Sequence, residues 1–272
     1  MAQRINPRPF LKWAGGKSQL LPKLRVLAPK EFGIYHEPFV GGGALFFEMQ
    51  RNEKVQNARL SDFNRELIGT YEAIRDEVDS VIARLQTFPH NARFFYELRR
   101  KKPRTPVTCA ARMIYLNKTC YNGLYRVNRR GQFNAPFGRY KNPTICDEKN
   151  LRATAKALKA VDLSSCSFEC VLEKARKGDF VYFDPPYDPV SRTANFTSYQ
   201  AGGFNRADQE RLRDVFAELA GRGVKVMLSN STTPFIQELY SEWRIREVSA
   251  RRAINSNAAK RKGHKELIVT SY

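Results

Sequence analysis

The sequence predicts an α/β fold: a largely parallel sheet, with a basic second domain inserted into the middle of the chain. Three observations carry that prediction. Apolar runs of strand length alternate with helix-period segments toward both ends. Three glycines, Gly41-Gly42-Gly43, stand where a strand gives way to a helix. The stretch from Phe88 to Lys149 follows neither pattern and is crowded with Arg, Lys, Asn, Tyr and Phe.

The elements follow in order. Residues 35–49 read as a short strand, a glycine turn and a helix. Val55 to Asp62 reads as a second strand ending on an acid. A helix runs from about Asn64 to Leu85, with Leu67, Ile68, Tyr71, Ile74, Val78, Ile82 and Leu85 on one face. Cys109 to Asn117 reads as a helix within the basic stretch. Beyond it, Tyr121 to Tyr140 forms two short extended runs around Asn128-Arg129-Arg130-Gly131, a hairpin signal. Phe180-Val181-Tyr182-Phe183 is a buried-type strand leading into Asp184-Pro185-Pro186-Tyr187. Asn205 caps a helix reaching about Ala220, which Gly221 and Gly223 end. Val224 to Leu228 is a strand, Pro234 to Tyr240 a helix, and Leu267 to Thr270 a closing strand.

Charge narrows the partners. Lysine and arginine number 47 against 27 acids, a formal net charge of +20. Cationic surface of that size releases counterions condensed on phosphates, so a nucleic acid is the expected partner. A solubility charge or a ribosome-bound protein is the bland reading, and charge alone separates neither DNA from RNA nor an enzyme from a binder. Five cysteines, Cys109, Cys120, Cys146, Cys166 and Cys170, form no CxxC pair, and only three histidines accompany them. Buried thiols in a reduced cytosolic protein are expected, with no zinc site and no disulfide framework. The opening Met-Ala-Gln-Arg has no apolar signal core, and no apolar run has membrane-spanning length. Gly15-Gly16-Lys17-Ser18 imitates half a phosphate loop, but Leu11 stands where its first glycine belongs.

Three places carry chemistry. In Glu37-Pro38-Phe39-Val40-Gly41-Gly42-Gly43 the glycines let backbone approach a cofactor closely, although strand-to-helix turns also use glycine for steric reasons alone. Asp62 stands about twenty residues on, where a carboxylate can accept hydrogen bonds from both ribose hydroxyls of a nucleoside-like ligand. Asp184-Pro185-Pro186-Tyr187 is more specific. Asp184 and the Pro185 carbonyl can each accept a hydrogen bond from an exocyclic amine, the prolines stiffen the turn, and Tyr187 offers a ring for stacking. A Pro-Pro turn beside a solvated acid is the bland alternative. The third place is the hairpin. Arg126 has the fork for guanine O6 and N7, Leu124 and Pro136 suit a thymine methyl, and Tyr121 can wedge between base pairs. Arg129, Arg130, Arg139 and Lys141 are expected on phosphates, as is Lys260 to Lys265, unless these are solvated loop charges.

Assembled, these motifs resemble the Dam-type family of DNA adenine methyltransferases, the α-group of the D12 class. The resemblance runs from Phe10 to the final strand. It rests on Phe10-Leu11-Lys12-Trp13-Ala14-Gly15-Gly16-Lys17, Glu37 to Gly43, Asp62-Phe63-Asn64, Tyr121-Asn122-Gly123-Leu124, Asn134 to Tyr140, Asp184 to Tyr187 and Thr193-Ala194-Asn195-Phe196. It implies a Rossmann-like class I methyltransferase sheet, with catalytic residues 1–70 and 160–272. The inserted, mainly helical target-recognition domain would be 71–159 and carry the β-hairpin. It implies S-adenosylmethionine as cofactor, held by Trp13, Lys17, Glu37, Phe39, Gly41, Gly43, Asp62 and Asp184, with Asp184, Pro185, Pro186 and Tyr187 as the catalytic turn. It also implies methylation of adenine N6 in duplex GATC by base flipping. Lys12, Tyr121, Asn122, Leu124, Arg126, Pro136 and Arg139 would touch DNA, with Lys12 at the outer guanine. No metal is expected.

The expected partner is double-stranded DNA, without a membrane, and a restriction endonuclease is compatible as a system partner. A monomer in the cytoplasm, associated with the nucleoid of a bacterium or with a phage, completes the expectation. Two positions depart from the family pattern: Gly42, where family members carry alanine, and the bulky Tyr125 inside the reading element. An RNA base methyltransferase and a non-catalytic DNA-binding protein on the same fold are the alternatives. A nuclease has least support, because no acidic cluster has metal-ligand spacing.

Overall fold

The computed structural model describes residues 5–13, 15–17, 19–52, 54–123, 125–128, 130–190, 203–250 and 264–272. After helix α1 (Leu21–Leu27), strand β1 (Tyr35–Glu37) leads through the glycine turn into α2 (Ala44–Arg51). Strand β2 (Ala58–Asp62) then meets α3 (Arg65–Gln86), whose first turn is capped by the Asn64 side chain accepting from Leu67 N–H. Helices α4 (Ala92–Arg100), α5 (Pro106–Thr119) and α6 (Glu148–Leu158) follow before the chain returns to the sheet. It returns as β3 (Val161–Ser165), the single turn α7 (Val171–Lys174) and β4 (Phe180–Phe183). Helix α8 (Arg206–Gly221), β5 (Lys225–Ser231), α9 (Pro234–Leu239), β6 (Arg244–Ala250) and β7 (His264–Thr270) complete it. At α8 the expected cap is a reciprocal box between Asn205 and Asp208.

Among the described residues the strands form one seven-stranded sheet in the order β3-β2-β1-β4-β5-β7-β6. The five strands β1 to β5 run parallel, and β7 lies antiparallel between β5 and β6. Alternation along the strands shows why both faces are covered. Phe180, Tyr182, Met227 and Ile268 join one apolar cluster, while Val181, Phe183, Val226, Leu228 and Val269 join the other. The first cluster packs under α1 to α6 and the second under α8 and α9. This is a doubly wound, Rossmann-like α/β fold.

Several expectations change. Strands β3 and β6 and helices α1, α4, α6 and α7 join the elements that the local sequence pattern announces. The hairpin turns where expected, with Asn128 Oδ1 accepting from the N–H groups of Arg130 and Gln132. Among the described residues, however, its arms meet at the isolated bridges Cys120↔Phe137 and Val127↔Phe133, not as a ladder. Its aromatic side chains turn inward: Phe137 packs on Phe95 of α4, and Tyr125 and Phe133 pack on each other. Cys166 and Cys170 form a disulfide, against the expectation of free thiols: the turn at Phe168–Cys170 folds the chain back and brings their Cα atoms to 6.5 Å. No helix among the described residues is long and apolar enough to cross a membrane.

Candidate active site and nucleic-acid face

The sheet order fixes where a ligand can sit. From β1 the chain proceeds outward through β2 to β3, then crosses back to place β4 on the other side of β1. The crevice lies outside the carboxyl ends of β1 and β4, where the connections diverge. Glu37 is the last residue of β1, and Asp184 directly follows β4. Two sequence-remote residues join them there. Lys17 Nζ lies 2.8 Å from Asp184 Oδ1 and 4.7 Å from the Tyr187 ring centroid, with Gly15 O accepting from the same ammonium at 2.7 Å. Tyr187 Oη donates to Glu266 Oε2 on β7 at 2.7 Å. The Lys17 contact is an off-axis ion pair, so Asp184 Oδ1 has no aligned hydrogen bond among the described residues. Burial pushes Asp184 up to about 6, against the pull of Lys17.

The acid turn is braced from behind. Gln209 on α8 donates to Pro186 O at 2.8 Å and accepts from Asn230 Nδ2 at 3.0 Å, while Asn230 Oδ1 accepts from Asp188 N–H at 3.2 Å. Gln209 and Asn230 are both buried. Glu37 is buried as well and accepts from Tyr35 Oη at 2.8 Å. Desolvation raises it to about 8 against the hydrogen bond from Tyr35, and the neighbouring Asp184 adds to the rise.

Beside it the glycine turn forms a cradle. Gly41 and Gly43 have φ of 46° and 65°, which side chains rarely adopt. A methyl on Gly41 would sit 2.7 Å from Trp13 Cδ1, and one on Gly43 would sit 2.9 Å from Tyr71 Oη. Trp13 is therefore a wall of the cradle, half-buried over Gly41. Asp62 ties the turn to β2: its Oδ2 accepts from Gly41 N–H at 3.1 Å and its Oδ1 from Asn64 N–H at 2.9 Å. Desolvation raises it to about 6. Next to it Phe63, to which the sequence analysis gives no role of its own, is 63% exposed. Phe39 packs against Phe168, Phe183 and Phe204 and supplies apolar wall, not polar contact.

The reading residues form a separate, exposed face. Lys12, Tyr121, Asn122, Arg126, Pro136 and Arg139 are all exposed. Lys12 Nζ lies 4.5 Å from the Tyr140 ring centroid. Arg126 rests on Asn134, donating from Nε to Oδ1 at 2.8 Å and from Nη2 to the carbonyl at 3.2 Å. Leu124, Arg129, Thr193 to Phe196 and Lys260 to Gly263 lie outside the described residues. Asn122 and Gly123 have φ of 56° and 65°, and a methyl on Gly123 would strike the Lys12 side chain. Asn117, fully buried on α5, holds this turn to the N-terminal segment: it accepts from Lys12 N–H and donates to the carbonyls of Lys12 and Gly123. Tyr125 faces inward, stacked on Trp13 at 5.1 Å. A bulky residue here therefore belongs to the interior, not to the reading surface.

The arrangement offers a glycine cradle with a ribose-sized acceptor, a cation and an anion side by side, and an acceptor turn next to an aromatic ring. Among the described residues no cluster of His, Cys, Asp and Glu could hold a metal. Residues 13–254 match the family described as D12 class N6 adenine-specific DNA methyltransferase. The chain is 43% identical to the Type II methyltransferase M1.LlaDCHI of Lactococcus lactis subsp. cremoris, covering 99% of this chain and 97% of that protein. It is 42% identical to the Type II methyltransferase M.MjaIII of Methanocaldococcus jannaschii, over 98% of this chain and 100% of the other. With the DNA adenine methylase of Escherichia coli K12 it shares 36% identity, over 96% and 94%.

Proposed function

From the premise that the chain belongs to the D12 class of N6 adenine-specific DNA methyltransferases, we propose that it methylates adenine in duplex GATC after drawing the base out of the helix. An S-adenosylmethionine-dependent DNA adenine methyltransferase is what the family makes it; the target, the flipping and the residue roles are our reading. We assign residues 1–70 and 160–272 to catalysis and 71–159 to recognition.

The cradle fits the cofactor. The positive-φ turns at Gly41 and Gly43 let the backbone lie close under Trp13 and Tyr71, which shapes the cradle, and Asp62 suits a ribose diol. Lys17 and Asp184 suit the carboxylate and ammonium of an amino-acid end. Glu37, Trp13 and Phe39 complete the wall. When bound, S-adenosylmethionine supplies an electrophilic methyl on a sulfonium.

The chain's own residues do the rest. An N6 amine paired inside a duplex is out of reach, so the base must leave the stack at a cost of a few kcal/mol. Stacking on Tyr187 returns about 1–3 kcal/mol of it. Asp184 Oδ1 and the Pro185 carbonyl accept the two N–H bonds and draw the amine out of planarity, which bares its lone pair. Asp184 then stabilises the positive charge growing on nitrogen. Pro186, fixed by Gln209, keeps the acceptors aimed. Arg126 exchanges Asn134 for guanine O6 and N7, Leu124 and Pro136 meet thymine, and Lys12 meets the outer guanine. Tyr121 fills the gap, and Asn122 and Arg139 hold the backbone.

The observation that carries this reading is the assembly of buried Lys17 with half-buried Asp184 and Tyr187 at the sheet's crossover crevice. The test is to express the chain in a methylation-free host and map N6-methyladenine across the genome. Modified GATC on both strands is expected; modification of a different motif refutes the target, and RNA methylation alone refutes the substrate. The two relatives at 42–43% identity are named Type II methyltransferases. That favours an enzyme shielding sites from a restriction endonuclease, and we place it in the cytoplasm, on the nucleoid, as a monomer.

A further inference from the structure

We propose that Tyr125 is a positioning residue that registers the reading segment against the cofactor cradle, so that specific duplex and cofactor each tighten the other's binding. The inference rests on the reading above, with Arg126 on the duplex and Trp13 on the cofactor. Neighbours in sequence, Tyr125 and Arg126 point opposite ways: Arg126 is exposed, and Tyr125 is 5% exposed. The Tyr125 ring lies on the Trp13 indole at 5.1 Å with planes 23° apart, and the Phe133 edge closes on it at 5.7 Å. Trp13 is the same side chain that a methyl on Gly41 would strike.

The hydroxyl is held as firmly. It donates to Glu66 Oε2 at 3.0 Å, and Glu66 lies in the first turn of α3, four residues past the cradle's Asp62. Glu66 Oε1 receives Arg112 Nη1 at 2.9 Å, and the other Arg112 nitrogens are bound by the carbonyls of Leu98 and Arg99. One side chain thus connects the reading segment to both walls of the cradle. The reading segment cannot shift to seat Arg126 on a base edge without moving the ring stacked on Trp13. A ligand on either side that adjusts this shared contact fixes its position for the other, so the second ligand meets it already in register. Linkage makes the effect equal in both directions.

The experiment titrates S-adenosylhomocysteine into the full-length protein by calorimetry, alone and with saturating duplex carrying the motif that the methylome map returns. A wrong target assignment is thereby kept apart from absent coupling. The wild type is expected to bind several-fold tighter with specific duplex, on the order of tenfold at most. Tyr125→Leu should bring that ratio to about one while the duplex-free affinity changes less than about threefold. Tyr125→Phe, which keeps the stack and drops the Glu66 bond, should retain most of it. A Tyr125→Leu protein with the wild-type ratio overturns the proposal and leaves the assigned reaction intact. Should Tyr125→Leu fail to fold, Trp13 emission decides. The chain has two tryptophans, so Trp243→Phe isolates Trp13. A shift on specific duplex that non-specific duplex does not produce supports the coupling, and an unchanged spectrum overturns it.

Discussion

The acid turn after β4 and the reading segment after α5 both hold polar side chains ready for a nucleobase, and they do so in opposite ways. Around Asp184 the partners are held by other side chains: buried Lys17 in front, half-buried Glu266 on Tyr187, buried Gln209 and Asn230 behind. Around Arg126 they are exposed and exchangeable, since Asn134 gives the guanidinium nothing that a guanine edge does not also give. A water-excluded site strengthens each electrostatic contact and needs no rearrangement during reaction. A solvated one lets wrong sequences dissociate. The difference teaches that rate belongs to the first region and selectivity to the second.

The sharpest way to break that division is Asp184→Ala. Turnover should fall by at least about 10²–10³-fold, the loss for removing one preorganised group that faces developing charge. Affinity for specific duplex should stay within a few-fold. Tritium transfer and gel-shift measurements on the same preparation check both, and a parallel collapse of duplex affinity would show that the regions are not separable.

Titration gives the next effect, with two opposite signs. Methyl transfer needs ionised Asp184, whose value in the free protein is about 6, so kcat/KM should fall about tenfold per unit below pH 6 and level off above it. Stability behaves differently. Glu37 rises from 4.5 to about 8 on folding, so the native state holds this proton more tightly than the unfolded chain does. Its contribution is complete below about 4.5 and is lost as the pH climbs through 8. Thermal melts should show Tm declining from pH 6 to 9, and Glu37→Gln, neutral at every pH, should flatten that decline. An unchanged slope would mean that Glu37 is ionised in the fold.

The two regions also differ in how much of them the sequence discloses. The apolar run Phe180 to Phe183 and the acid turn after it are contiguous, and so are the glycines after Glu37; local patterning is enough to find them. Strand β6 hides because Arg244, Arg246 and Glu247 interrupt it, as charges commonly do on an edge strand. Strand β3 hides because three of its five residues are Asp or Ser. Within the site, Glu266 stands 79 residues from Tyr187, Asn117 stands 105 from Lys12, and Glu66 stands 59 from Tyr125. No period or motif joins such pairs; only the crossover at β1 and β4 and the packing of α5 beside the N-terminal segment bring them together. Tyr125 was misjudged for the same reason, since an alternating reading of the hairpin gives no account of the indole beneath it.

On the reading side, Arg126→Ala should cost about 1–3 kcal/mol of discrimination at one base pair, with little change in turnover on the correct duplex at saturation. Competition between duplexes with single substitutions in the site measures this. A uniform loss across all sequences, together with a shallower salt dependence, would make Arg126 a phosphate contact instead.

The smallest effect separates positions within one motif. Gly41 and Gly43 are constrained by positive φ and by close neighbours, whereas Gly42 is not among the positive-φ glycines. A methyl there would meet Trp13 Cβ at 3.4 Å, an ordinary contact. The glycine at 42 is thus unnecessary to the cradle, and alanine reduces the entropy of the unfolded chain by the equivalent of about 0.4–1 kcal/mol. Gly42→Ala should therefore raise Tm by roughly 1–4 °C and leave cofactor affinity unchanged. A lowered Tm, or weaker binding of S-adenosylhomocysteine, would mean that the cofactor needs the space at Gly42 as well. The cradle would then be built from all three glycines, with none of the tolerance that marks the reading face.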